Sequence, residues 1–108
     1  MNKRVVITGV GQVTSLGDNI DDFWKNITEG KSGVDKITNF DPTDYASKIA
    51  SEVKDFDSSD YINKKDAKRM GRFTEFAVVS AKKALNDANL DITDELAELS
   101  GVIVGSGI

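Results

Sequence analysis

Two continuous apolar runs stand near opposite ends of the chain, "RVVITG" from Arg4 and "GVIVG" from Gly101. Unbroken apolar character, rather than alternation, suits strands covered on both faces, as in parallel sheets. Because helical patterns separate the two runs, the order predicts a parallel sheet and an α/β class. Two such strands and two helices bury too little, since a parallel sheet needs both faces and both edges managed. The last strand ends without downstream partners, so the expectation is a chain cut from a longer one.

The stretch "LGDNIDDFWKNITEGKSG" predicts the first helix. Asp18 or Asn19 is placed to cap it, and Asp21 and Asp22 sit where carboxylates favour the positive helix end. Ile20, Phe23, Trp24 and Ile27 recur at i, i+3, i+4 and i+7, which predicts one buried face with Phe23 and Trp24 in the core. Gly30 is the expected C-terminal stop. From Lys31 to about Asn63 the periodicity weakens around the lone Pro42, predicting an irregular excursion with one short strand near Lys48–Val53. "KKDAKRMGRFTEFAVVSAKKALNDANL" is the strongest helical pattern. Met70, Phe73, Ala77, Ala81, Ala84 and Ala88 gather within an arc of roughly 80°. Gly71 is expected to split off a short basic turn before the main helix, and Asn89 to end that helix. Thr93 is placed to cap one further turn.

Composition narrows the chemistry. The 108 residues include no cysteine and no histidine, which removes thiolate chemistry and the side chain most used for proton transfer near neutral pH. A hydrophobic fraction of 39% with 30% charged residues suits a soluble globular protein. No apolar run approaches the ~20 residues that span a bilayer, and the start lacks the apolar core of a secretory signal, so the expected setting is cytoplasmic with no membrane partner. Of 14 basic and 18 acidic residues, five and one fall between Lys64 and Arg72, leaving 9 against 17 elsewhere. One basic patch on an acidic chain is a poor nucleic-acid binder and a reasonable dock for an acidic protein. A solvated helix face is the alternative.

Gly9-x-Gly11 after a strand invites a dinucleotide reading. The third glycine of that pattern falls on Thr14, and no helix begins directly after Gly11. The glycines are better read as places where the strand passes close to neighbouring backbone. Ser106, between two glycines, reads as a turn residue, because a nucleophile elbow needs a different glycine spacing and a histidine.

Taken together and in order, "VVITGVGQVTSLG", "W…GKSGV", "KKDAKRMGRFTEFA" and "GSGI" resemble the N-terminal portion of the β-ketoacyl-acyl carrier protein synthases, the synthase II group of condensing enzymes in bacterial fatty acid synthesis. The resemblance covers essentially the whole chain. It implies a thiolase-like fold layered α-β-α-β-α, of which residues 1–108 are the N-terminal part of the first half, with Val5–Val10 and Val102–Val104 as neighbouring strands. It implies a cofactor-free, metal-free condensation of acyl-ACP with malonyl-ACP in a homodimer. The catalytic cysteine and histidines of that chemistry are absent from these 108 residues, so no catalytic residue is assigned here. The resemblance implies that Lys64, Lys65, Lys68 and Arg69 hold the acidic acyl carrier protein, with Arg72 a weaker candidate, and that Ile108 lines the acyl pocket. The family usually has an acid where this chain has Gly71. A self-sufficient α/β module that captures an acidic protein through Lys64–Arg72 is the competing reading.

Overall fold

A computed structural model describes residues 2–107. Four helices and one two-stranded antiparallel ribbon follow in the order α1 (Ile20–Thr28), β1 (Val34–Lys36), β2 (Ile49–Ser51), α2 (Lys64–Ala67), α3 (Arg72–Asp87) and α4 (Asp94–Leu99). None of these helices is long and apolar enough to cross a membrane.

The helix boundaries follow from local chemistry. Asn19 caps α1 by accepting the backbone N–H of Asp22 at 2.8 Å, which satisfies one of the unpaired donors of the first turn. At the other end Gly30 adopts φ 71°. Its N–H reaches the Ile27 carbonyl, and the Lys31 N–H reaches that of Asn26. This paired closure needs a left-handed residue, which glycine adopts without a Cβ penalty. Asn89, at φ 49°, ends α3 in the same way, with Asn89 and Leu90 donating to Asn86 and Leu85. Thr93 caps α4 through the Leu96 N–H.

The region from Lys31 to Asn63 is more ordered than its sequence pattern predicts. β1 pairs with β2 in the register Val34↔Ser51, Asp35↔Ala50 and Lys36↔Ile49. β2 lies inside the expected 48–53 segment; β1 has no sequence signal because "VDK" lacks a clear apolar alternation. Past the ribbon, the Glu52 carboxylate accepts the hydroxyl of Thr38 and the backbone N–H groups of Thr38 and Asn39. These bonds favour its ionised form, the Thr38 hydroxyl foremost, and hold it below the usual carboxylate range. In the connecting loop the Lys48 ammonium is surrounded by the carbonyls of Pro42, Thr43 and Tyr45.

Packing centres on α3. Val79 is 1% exposed and Ile62 5% exposed, and Ser58 is buried beside them with its hydroxyl 2.7 Å from the Glu75 carboxylate. Phe56 meets Phe76 edge to face at 4.8 Å. On its C-terminal half, α3 supports the segment from Gly9 to Gln12. A Cβ at Gly9 would collide with the Ala84 carbonyl, and one at Gly11 with the Ser80 carbonyl. Asp87 accepts the Val10 N–H at 2.9 Å, and Lys83 donates to the carbonyls of Gln12 and Asp18.

Three expectations are corrected. Val5–Val10 and Val102–Val104 belong to no sheet among the described residues, because a strand needs a ladder partner and the sole ladder here joins β1 to β2. Their side chains stand in solvent, Ile103 at 99% exposure. On α1 the expected buried face is not buried: Trp24 is 64% exposed, Ile20 and Ile27 are exposed as well, and Phe23 is half-buried rather than core. On α3 the Met70–Ala88 stripe is not uniformly the inner face. Phe73 and Ala81 are exposed, and the residue at the centre of packing is Val79.

The molecule is correspondingly open. Its accessible surface is 9172 Å², where a self-contained 11.7 kDa domain exposes about 5900 Å². Its radius of gyration is 17.0 Å, against about 13 Å for a compact chain of this length.

Candidate functional site

The basic segment folds as a separate turn between two anchored stretches. On its N-terminal side the Tyr61 and Ile62 N–H groups bond to the Ser58 carbonyl, and both Ser58 and Ile62 are buried. Asn63 then caps α2, accepting the Asp66 N–H at 2.9 Å while its amide donates to the Asp66 carboxylate. That bond occupies the sole acid of the segment. Residues four apart lie on one helical face, so Lys64 with Lys68 and Lys65 with Arg69 form two adjacent rows. Ala67 and Met70 turn inward and are half-buried.

Lys64, Lys65, Lys68 and Arg69 together line a shallow open depression of about 380 Å³ with no carboxylate in its wall. Among the described residues none of the four side chains is in an ion pair. Elsewhere Lys31 and Lys54 meet carboxylates and Lys48, Lys82 and Lys83 are taken up by backbone carbonyls. Lys3, Arg4, Lys25 and Lys36 are also in no ion pair among the described residues; what sets the four apart is their convergence on one depression. Four uncompensated cations on one small surface make a positive field suited to steering an anionic partner.

Arg72 departs from this group. Its guanidinium lies 5.3 Å from the Phe56 ring centroid and 5.2 Å from that of Phe76, and it donates to the Val53 carbonyl at 3.1 Å. At an exposed position such stacking contributes about 0.5–1 kcal/mol. The structure therefore assigns Arg72 to packing and removes it from the candidate patch. Its sequence gave one signal for that role, its place at the start of α3 beyond Gly71.

The other candidates sort as follows. Gly9 and Gly11 press against the C-terminal half of α3, where helix carbonyls, not the free N–H groups that hold a pyrophosphate, prevail. Ser106 is exposed, and its hydroxyl donates to the Gly107 carbonyl. Ile108 lies outside the described residues.

Comparison with known proteins decides the family. The profile of the β-ketoacyl synthase N-terminal domain matches residues 2–108. The chain belongs to the β-ketoacyl synthase family. Among curated relatives, this synthase chain is 48% identical over 107 residues to the 3-oxoacyl-acyl-carrier-protein synthase 2 of Staphylococcus aureus strain N315. It is 45% identical over 106 residues to the protein of that name from Synechocystis sp. PCC 6803. Nearly the whole chain is covered in each case, 99% and 98%, but it spans only 26% of either relative. Among solved structures it is similar to the ishigamide ketosynthase/chain length factor, with a TM-score of 0.71 and 33% identity over 81% of this chain and 22% of that one. A β-ketoacyl synthase from Burkholderia phymatum STM815 gives the same TM-score at 29% identity, over 90% of this chain and 24% of that one. The open backbone path of this synthase chain is thus one found within much longer ketosynthases.

Proposed function

We propose that these residues are the N-terminal part of a 3-oxoacyl-acyl-carrier-protein synthase 2, a condensing enzyme of fatty acid synthesis. The observation that carries this reading is the 48% identity to a curated synthase of that kind across 99% of the chain. In the reaction, an enzyme thiolate takes the acyl group from acyl-ACP and releases the carrier thiol. Malonyl-ACP loses CO₂, the resulting carbanion attacks the acyl–enzyme carbonyl, and the thiolate is expelled. The product is 3-oxoacyl-ACP, longer by one two-carbon unit. No residue here is cysteine or histidine, so the nucleophile and the groups that assist decarboxylation belong to another part of the enzyme. This part contributes scaffold and docking.

Lys64, Lys65, Lys68 and Arg69 are the residues assigned to holding the acidic carrier. Support comes from their convergence on one depression without a counter-charge. Ile108 is assigned to the acyl pocket near the dimer interface on family resemblance alone. In the assembled enzyme the chain enters the thiolase-like α-β-α-β-α layers of a cytoplasmic homodimer, where Val5–Val10 and Val102–Val104 gain ladder partners. A free-standing module is disfavoured by the 9172 Å² of exposed surface.

The test is charge reversal of Lys65, Lys68 and Arg69 to glutamate in the full-length enzyme. The KM for acyl-ACP should rise at least tenfold, because each lost charge contact is worth about 0.2–1 kcal/mol and each reversal adds repulsion. The ratio of carrier-bound to carrier-free thioester turnover should fall with it. An unchanged ratio would remove the docking assignment.

A further inference from the structure

We propose that Arg72 is a positioning residue for the basic turn, acting on carrier docking without contacting the carrier; this rests on the docking role argued above. The turn from Lys64 to Arg69 is suspended between two supports. One is the buried Ser58–Ile62 segment that leads into the Asn63 cap. The other is the start of α3, which the turn reaches through Gly71. Gly71 sits at the N-cap with no side-chain bond to the helix. Its carbonyl accepts the N–H groups of Thr74 and Glu75, which joins it to α3, but with no Cβ its backbone torsions toward the turn are less restricted than those of other residues.

Arg72 supplies the missing restraint. Its guanidinium rests over both rings of the Phe56–Phe76 pair and donates to the Val53 carbonyl, joining positions 19 residues apart. It thereby closes a loop whose two walls are the 53–62 segment and α3, with the four cations at its tip. Three residues along α3, the Ser58–Glu75 bond ties the same walls together. A planar, five-donor guanidinium can lie flat over the rings while donating in its own plane, a geometry that a compact ammonium does not reproduce. Stacking also holds the Arg72 guanidinium out of the depression, which is lined by Lys64, Lys65, Lys68 and Arg69.

The full-length enzyme carrying Arg72→Lys and, separately, Arg72→Met distinguishes this role from a plain charge contact. Both variants should raise the KM for acyl-ACP about three- to tenfold, the range that couplings between neighbouring residues produce. The carrier-bound to carrier-free turnover ratio should fall in parallel, with backbone amides of residues 64–71 exchanging faster. The salt dependence of KM should stay that of the parent in Arg72→Lys. Wild-type KM in Arg72→Lys with a raised KM in Arg72→Met would identify a simple charge contact and overturn the proposal. Equal loss with both kinds of substrate, alongside a lowered Tm, would identify a general structural role and overturn it too. Faster amide exchange with an unchanged KM would also overturn it. The docking role fails separately, if reversing Lys65, Lys68 and Arg69 leaves the turnover ratio unaltered.

Discussion

Gly9 and Gly11 show how much a single hydrogen in place of a methyl can decide. Each lies so close to α3 that an added Cβ would meet main-chain atoms, the Ala84 and Ser80 carbonyls, which cannot rotate away. Ala84 and Ala88 complete the fit from the helix side. Overpacking of this kind costs about 1–3 kcal/mol. Gly9→Ala and Gly11→Ala should therefore each lower the unfolding free energy of the intact enzyme by that amount, read by chemical denaturation. Gly105 has no atom within 4 Å of an added Cβ, and Gly105→Ala in the same assay checks whether that space stays open when the rest of the enzyme is present.

Among the elements, the break between α2 and α3 is the most consequential. Gly71 begins α3 without a side-chain cap, while Asn19, Asn63 and Thr93 cap the other three helices. An aspartate at Gly71 would accept an N–H of the first turn of α3 and favour the positive helix end. Its Cβ would press on the Phe73 ring edge, and that ring is exposed and free to swing. Gly71→Asp should raise stability by about 0.5–1 kcal/mol, combining a cap gain of a few tenths with loss of glycine's chain freedom. The check is a thermal melt of the full-length variant. A fall in Tm would mean that the ring has no room to move.

For the whole molecule, the governing quantity is surface. About 3300 Å² beyond what a self-contained domain of this mass exposes remains in solvent. Much of it is apolar, with Val5, Ile7, Leu99, Val102 and Ile103 all more than 80% exposed. Among the described residues two hydrophobic side chains are buried, Ile62 and Val79, and they do not offset the conformational entropy of ordering a chain of this length. The isolated 108-residue chain should therefore bind a hydrophobic dye and lose its helical signal gradually on heating. A sharp melt from a monomer would contradict this.

Much was legible in the residues themselves. The Thr93 cap, the Gly30 and Asn89 stops and the split at Gly71 all follow from contacts within a few residues, so sequence alone settled them; at the start of α1 it left Asp18 and Asn19 open, and the structure chose Asn19. The basic patch was equally visible, because residues four apart on one helical turn must share a face. What residue types could not decide was which apolar groups find partners. Val5–Val10 and Val102–Val104 have strand-forming side chains, yet pairing depends on backbone brought in from a distance. Trp24 has the right spacing for a core, yet the described residues leave it 64% exposed. Arg72 looks like its basic neighbours until the fold brings Phe56, Phe76 and Val53 around it. Local chemistry wrote the helix ends and the charge; long-range packing alone chose which side chains are buried and which cation stacks on aromatic rings instead of joining the basic depression.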